Sequence, residues 1–221
     1  SLNIQTNATS VGIEMNAYGG ATSGTSITAQ GITINGSSSG SAAVYIVNNG
    51  ANFNSTGSAD ISITGISAPA ANHYGIRLGS DSVNIFNLTT ASGNIILNGT
   101  GNSSAIEYYL GNIKSTAGGN ISIIANSPAW AGYYQPYTVN YSTTTGNISI
   151  NANVAGGGYD AITLSGGNIT TTTGNISIVG AQSGAKSGIS FQTSTTNIST
   201  SGGSVAVNGT SNTSSIGLNF Y

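Results

Sequence analysis

Gly174-Asn175-Ile176-Ser177-Ile178 repeats the wording of Gly146-Asn147-Ile148-Ser149-Ile150 and of Gly119-Asn120-Ile121-Ser122-Ile123. Looser copies read Gly93-Asn94-Ile95-Ile96-Leu97, Gly203-Ser204-Val205-Ala206-Val207, Asp60-Ile61-Ser62-Ile63 and Gly31-Ile32-Thr33-Ile34. The first aliphatic residue of each copy falls at 32, 61, 95, 121, 148, 176 and 205, with gaps of 29, 34, 26, 27, 28 and 29 residues. A fixed period of this length marks a repeat architecture whose units bury their apolar faces by stacking on one another.

Two further phrases share the period. About 13 residues after the first comes Gly12-Ile13-Glu14-Met15, then Ala43-Val44-Tyr45-Ile46, Gly75-Ile76-Arg77-Leu78, Ala105-Ile106-Glu107-Tyr108, Ala161-Ile162-Thr163-Leu164, Gly188-Ile189-Ser190-Phe191 and Ser215-Ile216-Gly217-Leu218. Tyr137-Thr138-Val139 reads as its degenerate copy. The third phrase is Asn84-Ile85, Asn112-Ile113, Asn140-Tyr141, Asn168-Ile169 and Asn197-Ile198. Alternation over three to five residues is a strand signal, and no stretch carries a 3.6-residue stripe long enough for a helix. The reading is all-β. One right-handed parallel β-helix, a β-solenoid, spans 1–221 with about seven coils of about 29 residues and three short strands per coil. At roughly 4.8 Å per coil, the rod is on the order of 35 Å long.

The composition fits stacked columns. Of 221 residues 33 are Gly, 8 are charged and none is Cys, and the net charge is −2. Stacking in register would set like charges about 5 Å apart, which is destabilising. Asn94, Asn120, Asn147 and Asn175, with Asp60 below them, read as a structural ladder of turn-tolerant amides that bond from coil to coil. Asn84, Asn112, Asn140, Asn168 and Asn197 read as a second ladder. Glu14, Tyr45, Arg77 and Glu107 share the outward middle position of the second phrase, continued by Thr138, Thr163, Ser190 and Gly217. This register predicts that Arg77 lies between Tyr45 and Glu107, with a cation–π contact on one side and an exposed ion pair on the other.

Few kinds of chemistry survive this inventory. Three basic residues cannot form the clustered footprint that nucleic acid requires. Without cysteine there is no disulfide or thiolate chemistry, and one histidine, His73, allows no two-imidazole site. Glycoside hydrolysis needs two carboxylates about 5–10 Å apart, yet Glu14, Asp60, Asp81, Glu107 and Asp160 fall at scattered coil positions. The chain therefore reads as a non-enzyme, with no metal site, no cofactor and no membrane insertion. A polysaccharide-active enzyme and an ice-binding solenoid are the remote alternatives. The runs Thr143–Thr145 and Thr170–Thr173 invite the second, but the columns mix Ser, Asn, Lys and Ala and keep no flat Thr-x-Thr lattice.

One loop departs from the bland pattern. Residues 126–137, read as an insertion after the first strand of their coil, hold Trp130, Tyr133, Tyr134, Tyr137 and two of the three prolines. Nearby coils add His73, Tyr74 and Tyr159 at equivalent loops. Insertions on a solenoid gather on one edge, often the binding edge, and aromatic faces beside amides suit sugar rings. These seven residues are the candidate ligand-binding set. The same rings also suit packing over the core edge or lateral contact between rods. Sequons at Asn120, Asn147, Asn168, Asn175 and Asn197 follow from the repeat phrase itself and need no glycosylation to explain them.

The coils at 117–123, 143–150 and 166–178 resemble the repeats of filamentous-haemagglutinin-like large exoproteins, and fit autotransporter passengers of β-helix type in the same style. The resemblance implies a right-handed β-helical rod secreted by a Gram-negative bacterium, in the first family by two-partner secretion. Such a rod would stand on the cell surface or outside the cell and act in adhesion, aggregation or biofilm, with surface glycans or other cells as partners. Neither end of the sequence shows a polar cap. The expectation is a segment of a longer repetitive polypeptide, or a self-assembling fibre subunit whose copies stack end to end.

Overall fold

The computed structural model describes residues 1–15, 24–47, 50–69, 73–80, 82–192, 195–212 and 215–221. Asp81 and the loop residues Ala70 to Asn72 lie outside them. The described residues form 23 strands and no helix. Successive strands pass to three different sheets, and each returns beside its counterpart one coil earlier, always parallel. The first and second sheets have eight strands and the third has seven. The molecule is a β-solenoid of seven complete coils and two strands of another.

The first sheet runs through Leu2–Ala8, Ile32–Ser38, Ile61–Ser67, Ile95–Thr100, Ile121–Ser127, Ile148–Val154, Ile176–Gln182 and Val205–Ser211. Its register is the one that the repeat predicts, with Ile61, Ile95, Ile121, Ile148, Ile176 and Val205 in one column. Inward residues of the central coils are fully buried. Each aliphatic removed from water contributes about 1.5–3 kcal/mol. Four positions further along, the column is Gly36, Gly65, Gly99, Ala125, Ala152, Gly180 and Gly209. Only small residues fit there. A Cβ on Gly99 would stand 2.2 Å from the Ala105 carbonyl oxygen, where the chain enters the second sheet.

Three alignments need correction. In the coil with the 34-residue gap, the third strand is Phe86–Thr90, and Asn87 and Leu88 pair with Asn112 and Ile113. Asn84-Ile85 precedes this strand and Ile85 is exposed, whereas Phe86 enters the core between Phe53 and Tyr108. Two aromatic contacts outweigh the better-matching Asn-Ile phrase. In the last coil Leu218, not Ile216, pairs with Ile189, which places Asn219 and not Gly217 in the outward column.

The third correction concerns the aromatic segment. Residues 126–137 are not one long loop. The first strand runs on to Ser127, the turn is 128–130, and Ala131–Gln135 is the second strand of its coil. Tyr133 pairs with Ile106 and Ile162 and lies fully inside, while Tyr134 takes the outward position assigned to Thr138. Val139 begins the third strand. The interior accommodates the polar atoms through a chain of hydrogen bonds: the Tyr133 hydroxyl donates to that of Tyr141, which donates to Gln135 Oε1 at 2.7 Å. Gln135 Nε2 in turn donates to the Gly166 carbonyl at 2.7 Å.

Candidate functional site

Two kinds of surface cover the rod, and the regular one comes from the ladders. Asn94, Asn120, Asn147 and Asn175 each accept, at Oδ1, the backbone N–H of the residue one coil on, at 2.8–2.9 Å. Asp60 begins this column by accepting from Asn94 N–H at 2.7 Å, and Ser204 ends it. The second ladder holds Asn112, Asn140, Asn168 and Asn197 as expected, but is continued by Asn87 and Asn52 instead of Asn84. Its amides bond side chain to side chain at 2.7–3.1 Å.

A third ladder lies inside, where sequence reading missed it. Ser55, Thr90, Ser115, Thr143, Thr171 and Thr200 share one column of the third sheet. From Thr143 onward each hydroxyl donates to the corner glycine carbonyl of the coil before and accepts the N–H of its own corner glycine. Its signal was a small hydroxyl residue three or four positions before Gly93, Gly119, Gly146, Gly174 and Gly203.

The second sheet's outer face is different. Its central column reads Tyr45, Arg77, Glu107, Tyr134, Thr163 and Ser190. Arg77 Nε stands 3.3 Å from Glu107 Oε2, and the Arg77 guanidinium lies 5.5 Å from the centre of the Tyr45 ring. Both predicted contacts are present, but the pair is not exposed: the two side chains keep only 19% and 9% of their accessible surface. Tyr74 and Tyr109 add ring faces at 5.1 and 5.0 Å, and Arg77 Nη2 donates to the Tyr109 hydroxyl at 2.9 Å. Glu107 Oε1 accepts from Ser104 Oγ at 3.2 Å. Burial raises the Glu107 pKa, against the opposing pull of Arg77 and the Ser104 hydrogen bond. Tyr109 is pushed up to about 12, first by burial and then by the Glu107 carboxylate.

Exposed rings continue this face along the rod. Trp130 packs on Tyr159 with centroids 4.4 Å apart, Tyr134 meets Tyr159 at 6.3 Å, and Tyr109 meets Tyr137 at 6.0 Å. Trp130, Tyr137 and Tyr159 remain 47%, 39% and 42% exposed. Five of the seven candidate ligand-binding residues, Trp130, Tyr134, Tyr137, Tyr74 and Tyr159, thus belong to one surface that also recruits Tyr45 and Tyr109. The other two do not join it. Tyr133 is core, and His73 is buried with its Nδ1 3.3 Å from the Ala68 carbonyl oxygen. Tyr109 was missed because it follows the repeat phrase where the preceding coil has Gly79.

Between the rings a cleft of about 90 Å3 is lined by Ser104, Glu107, Trp130, Ala131, Tyr134 and Tyr159. Two larger hollows, beside Phe191 and Phe220 and beside Asn7 and Asn35, have no charged side chain in their lining. No group of three His, Cys, Asp or Glu that could hold a metal occurs among the described residues, and no helix there is long and apolar enough to cross a membrane. Comparison with known proteins gave no match: no family model fits the chain, and no curated protein or solved structure is similar to it at a significant level.

Proposed function

We propose that this chain is a scaffold and adhesive module: a rod-shaped stretch of a bacterial exoprotein that carries a contact surface away from the cell. The supporting observation is the gathering of Tyr45, Tyr74, Tyr109, Trp130, Tyr134, Tyr137 and Tyr159 on one flank, across neighbouring coils of the rod. Flat rings that are half exposed, on the turns beside the second sheet, suit stacking against the apolar faces of sugars, with tyrosine hydroxyls hydrogen-bonding at the rim. Rings that already pack on one another lose little entropy on binding. The repeat style and the absence of cysteine favour a place outside a Gram-negative cell, with surface glycans or neighbouring cells as partners.

Glycan-array binding by the purified chain, beside a Trp130→Ala, Tyr137→Ala, Tyr159→Ala variant, tests the reading. All three side chains are 39–47% exposed and none belongs to the core, and an unchanged melting curve checks that the variant keeps the fold. Saturable binding to a glycan class that the variant loses supports the proposal. Binding to no glycan, or equal binding by both proteins, removes the flank as a glycan-contact surface.

A further inference from the structure

We infer that the small cleft beside Glu107 is a binding site for a quaternary ammonium group, of the kind a choline headgroup presents. Three aromatic side chains wall it: Tyr159 stands between Trp130 and Tyr134, and the faces of such rings carry the negative end of the quadrupole. Its remaining lining is a carboxylate, Glu107, with Ser104 and Ala131. The aromatic walls attract a cation through their ring faces, an attraction that grows when the site is shielded from water, and Glu107 offsets the positive charge of the neighbouring Arg77.

The geometry also selects among cations. At about 90 Å3 the cleft holds several times the space one water needs, but falls far short of the several hundred Å3 that a whole drug-sized ligand occupies. It takes a headgroup, and the rest of the ligand stays outside. A primary ammonium would bring three N–H donors. Glu107 Oε1 already accepts from Ser104 Oγ at 3.2 Å, and Oε2 is sealed from solvent beside Arg77 Nε at 3.3 Å, where a ligand's N–H groups do not reach it. A divalent metal would need several oxygen ligands, where the cleft has one carboxylate. A methylated ammonium carries its charge with no N–H to satisfy, and its methyl groups match ring faces. The raised Glu107 pKa points the same way, since a bound cation would offset the cost of keeping that carboxylate charged in a dry site. The cleft shares Trp130, Tyr134 and Tyr159 with the glycan-contact surface, but the two readings are tested with different ligands, and either can fail without the other.

The protein carries its own reporter, because Trp130 is the only tryptophan and lines the cleft. Purified chain would be titrated with choline, with tetramethylammonium, and with 3,3-dimethylbutan-1-ol, the neutral carbon isostere of choline. Trp130 fluorescence would be followed and calorimetry run in parallel. The expected result is a saturable response to both cations, with the isostere weaker by about tenfold or more, a difference of about 1.4 kcal/mol. Tyr159→Leu and Glu107→Gln should each weaken choline by a similar factor, and Tyr137→Leu, outside the cleft lining, should not. Tyr159 is exposed and outside the core, so an unchanged melting curve for Tyr159→Leu separates loss of site from loss of fold. Equal binding of choline and the isostere would overturn the inference. So would the absence of a saturable response, or full choline affinity in a folded Tyr159→Leu chain.

Discussion

Along the asparagine ladder each coil presents the same group to the next, whereas along the second-sheet flank no two adjacent coils do. Asn94, Asn120, Asn147 and Asn175 repeat one hydrogen bond at nearly constant length. The column Tyr45, Arg77, Glu107, Tyr134, Thr163 instead changes its chemistry at every step. Both surfaces rest on the same coils with the same inter-strand spacing. The ladder fixes register, since a slip of one residue would break the hydrogen bonds and turn the aliphatics outward. The flank is free to vary because register is already fixed elsewhere, and it is there that rings, charge and a cleft come together. In a solenoid the repeating positions specify architecture, and the positions that break the repeat are where recognition can be built.

The sharpest way to break this contrast is alkali, which acts on the aromatic coils and leaves the amide ladders neutral. Burial holds the hydroxyls of Tyr108, Tyr133 and Tyr141 above the ordinary tyrosine range. Above about pH 10 the unfolded chain releases these protons and the folded chain keeps them. The native state then binds more protons than the unfolded one, so stability falls as pH rises from that point toward the folded-state values. Each such group contributes up to about 1.4 kcal/mol per pH unit, and three approach about 4 kcal/mol per pH unit. Denaturant unfolding followed by Trp130 fluorescence from pH 9 to 12 would measure the slope. A Tyr133→Phe, Tyr141→Phe chain should lose most of it while becoming less stable at neutral pH, because Gln135 Oε1 loses its donor. A flat profile above pH 10 would mean that these hydroxyls are not sealed in the core.

Next in size is Arg77→Ala. It leaves the Glu107 carboxylate buried without its cation and removes the packing of three tyrosine rings. The expected cost is about 3 kcal/mol, read as a shift in urea midpoint at pH 7. Removing both partners, as Arg77→Met with Glu107→Leu, should cost less than removing Arg77 alone, because no unpaired charge remains. If the double variant were the less stable of the two, the pair would be holding the flank by its charge and not only tolerating burial.

How far sequence reaches into this molecule follows the same division. The register of the first sheet is legible from Ile32 to Val205, because its phrase returns there and stacking demands that it should, whereas Leu2–Ala8, which carries no such phrase, is not. The contact of Arg77 with Tyr45 and Glu107 is legible for the same reason, as it follows from column position alone. The second strand at Ala131–Gln135 is not. Its inward residues are Tyr133 and Gln135, which read as loop, and their fitness for the interior depends on a hydrogen-bond chain from Tyr141 on another strand. Phe86 is missed likewise, since only its contacts with Phe53 and Tyr108 show that it outranks Ile85. The aromatic segment was legible as composition, but Tyr133 and Tyr134 could be assigned to opposite faces only once their strand was placed. The cleft was beyond sequence altogether, for it joins residues from three coils.

The smallest expected effect tests why the ladder is neutral. Asn147→Ala removes the acceptor for the Asn175 N–H, an exposed hydrogen bond worth about 1 kcal/mol, and Asn120→Ala should match it closely because the rungs are equivalent. Asn147→Asp should cost almost nothing, since Asp60 already accepts the next coil's N–H at 2.7 Å with a carboxylate. Consecutive replacements are different. Asn120→Asp, Asn147→Asp and Asn175→Asp together would set carboxylates in adjacent coils about 5 Å apart, at about 0.8 kcal/mol per neighbouring pair in water. The triple variant should therefore lose about 1.6 kcal/mol beyond the sum of the single ones, and regain most of it in 1 M salt, where the screening length is about 3 Å. If the single and triple costs instead simply added, like-charge repulsion would not be what keeps charge off this face. The scarcity of charge would then need a cause other than the spacing of the coils.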